Sequence, residues 1–326
     1  MIAAGTMSLC FALCALGVLL ALIVPDRLCP KLLAVVGVLA ALACAIAAGC
    51  ALFAGQTFSV GLWPLPTGTR LVIGLDRLSG LFLLIAAAVL LPTSVYSAAY
   101  LRRYLGHYSL RAFGVLYFAL FASIVGVIVA RDVVFFFLTW EVMSIASYLL
   151  VNFEFERDEN VRAGYLMLAM GEAGTLAAVI GLLLLANAAD SFDFSALKAA
   201  GGSLGTAPRA WVFLLSFFGF GVKAGLIPFN SWLPRAHPVA PANVSALLSA
   251  VIALPSMAQA RSHHRYHGAY GFHEWYGLPY PISYLHNYGP GLTPGTFAYY
   301  DGPSTNLCYQ GSAAYIGQDG RRHPCF

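Results

Sequence analysis

The sequence predicts an all-α membrane protein with seven or eight spans and an irregular C-terminal tail. Of its 326 residues, 60% are hydrophobic and only 10% are charged, and the mean hydropathy is +0.76. Soluble globular chains carry about 25% charged residues, so this composition belongs to the membrane class. About 20 apolar residues cross a bilayer as a helix. Windows of that kind cover residues 7–24, 32–54, 79–99, 112–130, 132–151, 163–187 and 210–227, with a weaker one at 240–254.

The first two windows hold most of the cysteines, and the first window is not expected to be a cleavable signal peptide. Small apolar side chains packed between helices are the expected role for Cys10, Cys14, Cys29, Cys44 and Cys50. Cys308 and Cys325 lie in polar sequence and could pair with each other. The first ten residues contain no Lys or Arg, and a signal peptide needs a positive start. We therefore interpret 7–24 as an uncleaved span.

Polar stretches at 154–162 and 189–209 predict loops, and the second should hold a short amphipathic turn. If the spans alternate, seven basic residues fall on one side and five on the other. The first side collects Arg27, Lys31, Arg102, Arg103, Arg111, Arg157 and Arg162, and the second collects Arg70, Arg77, Arg131, Lys198 and Arg209. The positive-inside rule then makes the first side cytoplasmic. We expect a bacterial inner-membrane protein with a periplasmic N-terminus.

The composition changes near residue 254, which predicts a membrane domain at 1–254 and a polar tail at 255–326. Residues 261–326 contain no Lys, but they hold ten of the 17 Tyr and six of the eight His. Turn-forming dipeptides recur there, so we expect a weakly structured, periplasmic tail. Residues 258–260 read Ala-Gln-Ala, a pattern that signal peptidase accepts. Two interpretations stay open: a last helix ending in an ordinary loop, or an exported protein joined to a membrane-protein fragment.

Three ionisable residues lie deep in the apolar windows: Glu141, Glu172 and Lys223. A charge at bilayer depth costs about 2.5–3.5 kcal/mol on insertion scales. Pro228 and its neighbouring glycines should break the helix beside Lys223, and such a break is tolerated only where it is buried in protein or lines a wet cavity. One alternative for each charge is a satisfied buried group that fixes helix packing.

A carboxyl and an amine that are desolvated together alter each other's proton affinity, which is the chemistry of a proton relay. His237, in the segment "WLPRAHPVAPANV" at 232–244, adds a group that titrates near neutral pH. Its alternative role is that of an ordinary histidine in an interfacial loop. The sequence therefore indicates four candidate proton-transfer residues: Glu141, Glu172, Lys223 and His237.

These residues lie in three stretches that resemble a known family. They are "FFFLTWEVMSIASYLLV" at 135–151, "YLMLAMGEAGTLAAVIGLLLL" at 165–185 and "GFGVKAGLIPFNSWLPRAHPVAPANVSALLSAV" at 219–251. The stretches resemble the antiporter-like subunits of complex I and membrane-bound hydrogenases, above all the branch of hydrogenase-4 component B and formate hydrogenlyase subunit 3. The resemblance covers about residues 1–251 and does not include the tail.

The resemblance implies a fold of inverted repeats, each with a discontinuous helix. It identifies Glu141 with the acidic residue of the family's fifth helix and Lys223 with the lysine of the seventh, and these two form the coupling pair of one half-channel. Glu172 and His237 match positions in or beside the motifs. The family's subunits hold no cofactor or metal, and they move protons or sodium ions beside other membrane subunits and a peripheral redox arm.

The chain departs from the family after residue 251. Members continue with a lysine-bearing eighth helix, whereas this chain reads "IALPSMAQA" at 252–260. The resemblance therefore implies a truncated subunit with one half-channel, from which we expect no independent transport. The alternative is a membrane anchor or fusion product that displays the tail without transport.

A third hypothesis is an exported metal-binding tail. Its candidate copper or zinc ligands are His263, His264, His267 and His273. The alternative is an ordinary solvated tail that binds no metal. The net charge of +4 is too scattered to indicate nucleic-acid binding. No glycine-rich nucleotide fingerprint follows a strand.

Overall fold

Helices make up most of the first 248 residues of the computed structural model, which describes residues 2–64, 70–248, 314–316 and 322–324. The chain divides into two units, Met1–Arg261 and Ser262–Phe326. The helices of the first unit are α1 Ile2–Ile23, α2 Cys29–Leu52, α3 Arg77–Tyr100, α4 Leu110–Val129, α5 Val133–Val151, α6 Asp158–Ala189, α7 Phe194–Ala200, α8 Thr206–Lys223 and α9 Leu233–Val239. Residues 242–248 are helical as well.

The predicted all-α membrane fold is confirmed, although the number of spans differs. Within the described residues, six helices are long and apolar enough to cross a membrane: α1, α2, α3, α4, α5 and α6. The seventh predicted span falls on α8, which starts with a polar turn at Thr206–Arg209 and ends on a lysine. The weak window 240–254 continues beyond the described residues. The helix break predicted near Lys223–Pro228 is present, because α8 ends at Lys223.

The helices pack mainly against their neighbours in sequence. Helix α1 packs on α2 and α4, α2 packs on α3, and α5 packs on α4 and α6. One hydrophobic core connects α1 to α5, and fully buried aromatic side chains from α4 form its centre: Phe113, Tyr117, Phe118 and Phe121. Four of the five cysteines expected between helices are buried, namely Cys10, Cys14, Cys29 and Cys44, whereas Cys50 is half-buried. This agrees with their predicted packing role.

A β-hairpin between α2 and α3 was not predicted from the sequence. Strands β1 Phe58–Pro64 and β2 Arg70–Leu75 pair antiparallel. The buried Asp132 joins the hairpin to α5, because its Oδ1 accepts from the amide of Phe135 at 2.8 Å and its Oδ2 accepts from the amide of Val72 at 2.6 Å. One carboxylate thus caps the first turn of α5 and fixes the position of β2 against it.

The hairpin side also carries an exposed ion pair. Arg131 lies 3.0 Å from Asp76, which caps α3 by accepting from the amide of Ser79. Partial burial raises the pKa of Asp76, but the hydrogen bonds from Arg131 and the Ser79 amide outweigh it, so the pKa lies below its usual value.

The loops predicted at 154–162 and 189–209 are shorter in the structure, since α6 begins at Asp158. The second loop holds α7, the predicted short turn.

The second unit is described only at strands β3 Ala314–Ile316 and β4 Arg322–Pro324, which pair antiparallel. This hairpin is regular structure within a tail that was expected to be irregular. Several predictions lie outside the described residues. They concern the Cys308–Cys325 pair, the histidines at 263–273 and the Ala-Gln-Ala junction at 258–260.

Candidate functional site

The break after α8 is built by backbone hydrogen bonds around Gly225. The amide of Leu226 donates to the carbonyl of Gly221 at 2.9 Å, and the amide of Gly225 donates to Val222 at 3.2 Å. These two bonds form a Schellman motif, which needs a left-handed residue just past the helix end. Gly225 supplies it with a φ of 65°, a conformation that glycine adopts at little cost. Lys223 is therefore the last residue of α8.

A tryptophan from the next element stabilises the same helix end. The buried indole Nε1 of Trp232 donates to the carbonyl of Val222 at 2.8 Å. Terminal carbonyls of a helix carry partial negative charge, and a buried one without a partner costs free energy. Trp232 thus helps to satisfy the backbone carbonyls at the broken end of α8. The Lys223 side chain lies at this negative end of α8.

Lys223 contacts α5 through a hydroxyl and an aromatic ring. Its Nζ donates to the Oγ of Ser144 at 2.7 Å and lies 5.2 Å from the ring centroid of Trp140. The indole of Trp140 is fixed in turn, because its Nε1 donates to the hydroxyl of Thr175 on α6 at 2.9 Å. These contacts join the end of α8 to α5 and α6.

Two half-buried glutamates lie beside each other and near Lys223. Glu141 on α5 is adjacent to Glu172 and Thr175 on α6, and both glutamates act electrostatically on Lys223. Among the described residues, however, no carboxylate oxygen lies within 4.0 Å of the lysine Nζ. The Oε1 of Glu141 is buried and has no hydrogen-bond partner in the same part of the chain. The three charged groups therefore share one site without a direct Glu141–Lys223 ion pair.

A small cavity connects the polar groups of this site. Its volume is about 30 Å³, and its polar lining consists of Ser144, Ser147, Glu172 and Lys223. Apolar side chains from α5, α6 and the segment after the break complete the wall, among them Met143, Met167 and Leu248. A buried water needs roughly 10–15 Å³ measured in this way. The cavity has room for about two waters between Glu172 and Lys223.

The remaining predicted site residues lie elsewhere. His237 is on α9, where its Nδ1 lies 2.7 Å from the Oγ of Ser245, and it is not part of the cavity wall. Pro228 lies in the turn between α8 and α9, and its peptide bond with Ile227 is cis. The sequence analysis missed Ser144 and the indole of Trp232. Ser144 could have been found, since it follows Glu141 by one helical turn and shares its face.

Glycines bring the backbones of α6 and α8 into contact and so place Lys223 against α5. A Cβ on Gly219 would lie 2.5 Å from the carbonyl oxygen of Gly174 and 2.6 Å from the Cβ of Ala178. Gly181 is close to Ser216 in the same way. Small residues at such positions are typical of helix contacts within membranes. The Gly219 contact fixes α8 one turn before its terminal lysine.

We expect the substitution Gly219→Ala to destabilise the protein, although alanine favours helix. The added methyl group overlaps backbone atoms of α6, and overpacking of this kind costs about 1–3 kcal/mol. Thermal unfolding in detergent, followed by tryptophan fluorescence, should show a lower midpoint. The control is Gly49→Ala in α2, where a Cβ would meet nothing within 4 Å. An equal or higher midpoint for Gly219→Ala would contradict this account of the α6–α8 contact.

Comparison with known proteins gives consistent matches. Residues 130–276 match the family described as NADH:quinone oxidoreductase/Mrp antiporter, transmembrane. Hydrogenase-4 component B of Escherichia coli is 36% identical over 201 residues, which cover 62% of this chain and 29% of the relative. The chain thus spans less than a third of that curated relative.

Two solved structures share the fold. The membrane-bound sulfane sulfur reductase, an archaeal respiratory membrane complex, contains a chain that matches with a TM-score of 0.67 and 22% identity, over 80% of this chain and 53% of that one. The Mrp complex from Dietzia sp. DQ12-45-1b matches with a TM-score of 0.63 and 25% identity, over 78% of this chain and 27% of that one. The family match contains Glu141, Glu172, Lys223 and His237 and extends past residue 251. This chain is a multi-pass membrane protein whose residues 130–276 match the NADH:quinone oxidoreductase/Mrp antiporter family.

Proposed function

We propose that the chain is an ion-translocating membrane subunit, and that Glu141, Glu172 and Lys223 carry protons at one half-channel. The observation that carries the proposal is the half-buried amine of Lys223 at the end of a broken helix, beside a cavity that it shares with Glu172. Ionisable groups at membrane depth are expensive and mark ion pathways by default. A purely structural role would favour a closed ion pair instead.

The arrangement supports proton exchange for three reasons. Adjacent carboxyls in an apolar interior repel each other when both are ionised, so Glu141 and Glu172 are suited to share one proton. The amine of Lys223 can hold or release a proton within the same site. Ser144 contacts the amine, and a cavity with room for about two waters is lined by both the amine and Glu172.

The assembly is also part of the proposal. The similarity to hydrogenase-4 component B and to a chain of an archaeal respiratory membrane complex supports membrane partners and a peripheral redox arm that supplies the energy. We place the protein in a bacterial inner membrane, with the 154–157 turn on the cytoplasmic side. The chain itself supplies the proton path, and no redox step is assigned to it.

The proposal is tested in inside-out membrane vesicles from cells with and without the gene. Formate, hydrogen and NADH are supplied in turn, and acidification of the vesicle lumen is followed by quenching of an acridine dye. We expect at least one donor to drive acidification that depends on the chain and collapses with a protonophore. Equal acidification with and without the chain for every donor would favour the anchor hypothesis instead.

A further inference from the structure

Ser144 makes a contact at this site that a simple Glu–Lys couple does not require. It lies one turn after Glu141 on α5, so both side chains share one face of the helix. Its side chain is buried, and its Oγ is 2.7 Å from the Nζ of Lys223. No carboxylate oxygen of the described residues comes within 4.0 Å of that nitrogen. The lysine therefore donates to a hydroxyl and not to a carboxylate.

The Ser144 hydroxyl is oriented to accept a hydrogen bond from the lysine. Its own hydrogen is directed to the carbonyl of Trp140, with Oγ and O at 3.1 Å, which leaves a lone pair for Lys223. An ammonium group has three donors and no acceptor, so this geometry suits the protonated amine. The ring of Trp140, 5.2 Å from Nζ, adds cation–π attraction on the same side.

The other groups around the amine differ in whether they titrate. The titratable groups that face Lys223 are Glu141 from α5 and Glu172 from α6. The described residues after the helix break add Trp232 and Leu248 to the cavity wall, and neither titrates. Neither carboxylate has an oxygen within 4.0 Å of the Lys223 Nζ. The neutral hydroxyl of Ser144 is the acceptor that the amine contacts.

We propose that Ser144 is a positioning residue that holds the Lys223 ammonium against α5 and stabilises its protonated form. The inference rests on the proposed function only for its effect on ion movement. The contact itself belongs to the resting protein and can be tested without transport. Loss of the hydroxyl removes a hydrogen-bond acceptor of the ammonium and should let the amine release its proton at lower pH.

The test is the pH dependence of lysine acetylation in native membranes. The chain has only three lysines, Lys31, Lys198 and Lys223, and acetic anhydride crosses membranes and reacts with the neutral amine. Mass spectrometry of each lysine gives the pH at half-maximal labelling. For Ser144→Ala we expect the Lys223 midpoint to fall by about one pH unit, the size of one hydrogen bond to a charged group.

Two variants serve as controls for this experiment. Ser144→Thr keeps the hydroxyl, so its curve should match the wild type. Ser147→Ala removes a second buried hydroxyl from the same cavity wall, and it should also leave the Lys223 midpoint in place. If Ser144→Ala does not accumulate, Ser144→Cys replaces it, because a thiol is a weak acceptor.

The outcomes separate this inference from the proposed function. A Lys223 curve for Ser144→Ala or Ser144→Cys that coincides with the wild type overturns the inference, and so does an equal shift in Ser147→Ala. A shifted curve in a protein whose wild type moves no ions supports the role of Ser144 and refutes the proposed function. In the active protein, Ser144→Ala should also move the pH optimum of ion movement downward, while Ser144→Thr restores it.

Discussion

Lys223→Ala is expected to reduce donor-driven acidification of the vesicles to background, a loss of about 100-fold or more. The substitution removes the amine that takes part in the proposed proton exchange and leaves Ser144 and the two half-buried glutamates without a cation, so the path is interrupted. The helix break should survive, since the bonds of Gly225, Leu226 and Trp232 that form it involve no lysine side-chain atom. Donor oxidation and the amount of assembled complex should therefore stay near wild type.

Two variants sharpen this result. Lys223→Arg keeps the positive charge, but a guanidinium does not release its proton in proteins, so it should be as inactive as the alanine variant. Lys198→Ala removes an exposed lysine on α7 and should leave acidification unchanged. Wild-type rates in Lys223→Ala would refute the proton-carrying role. Activity in Lys223→Arg would show that only the charge is needed.

Glu141→Gln is expected to stop ion movement to a similar degree while the complex assembles normally. Glutamine has nearly the same shape but cannot take up a proton, and at this position it faces Glu172 and Thr175. The contact between Lys223 and Ser144 does not involve Glu141, so acetylation of Lys223 should persist. The measurement is again dye quenching at equal amounts of complex.

The matched control for this prediction is Glu159→Gln. Glu159 is exposed in the first turn of α6, so its loss should have little effect on acidification. Glu141→Asp keeps the carboxyl on a shorter side chain and should retain part of the activity. If Glu141→Gln acidifies vesicles at the wild-type rate, the carboxyl of Glu141 has no part in proton transfer.

The sequence was sufficient to predict the membrane class and the six long spans. Apolar length and isolated charges are local properties of the chain, and they can be read without knowledge of its partners. The break near Pro228 was predictable for the same reason, because proline and glycine restrict the backbone locally. The end of α8 at Lys223 was harder to predict from the sequence, since it also depends on the indole of Trp232 from the following element.

Contacts between distant segments account for what the sequence analysis missed. The capping of α5 by Asp132 is local, but its bond to Val72 joins positions 60 residues apart. The contact between Ser144 and Lys223 joins positions 79 apart. Helical periodicity shows which side chains share a face, but it does not select an acceptor on another helix. The family resemblance implied that Glu141 and Lys223 form a coupling pair; in the structure the lysine Nζ donates to the hydroxyl of Ser144.

The close backbone contact at Gly219 also makes α8 intolerant of insertions near its end. Gly219 and Lys223 lie four positions apart, and each added residue turns a helix by about 100° and lengthens it by about 1.5 Å. One extra amino acid between them would rotate the amine out of the cavity, although the helix propensity of the surrounding residues would not change. Length variation in descendants of this chain should therefore spare the last turn of α8.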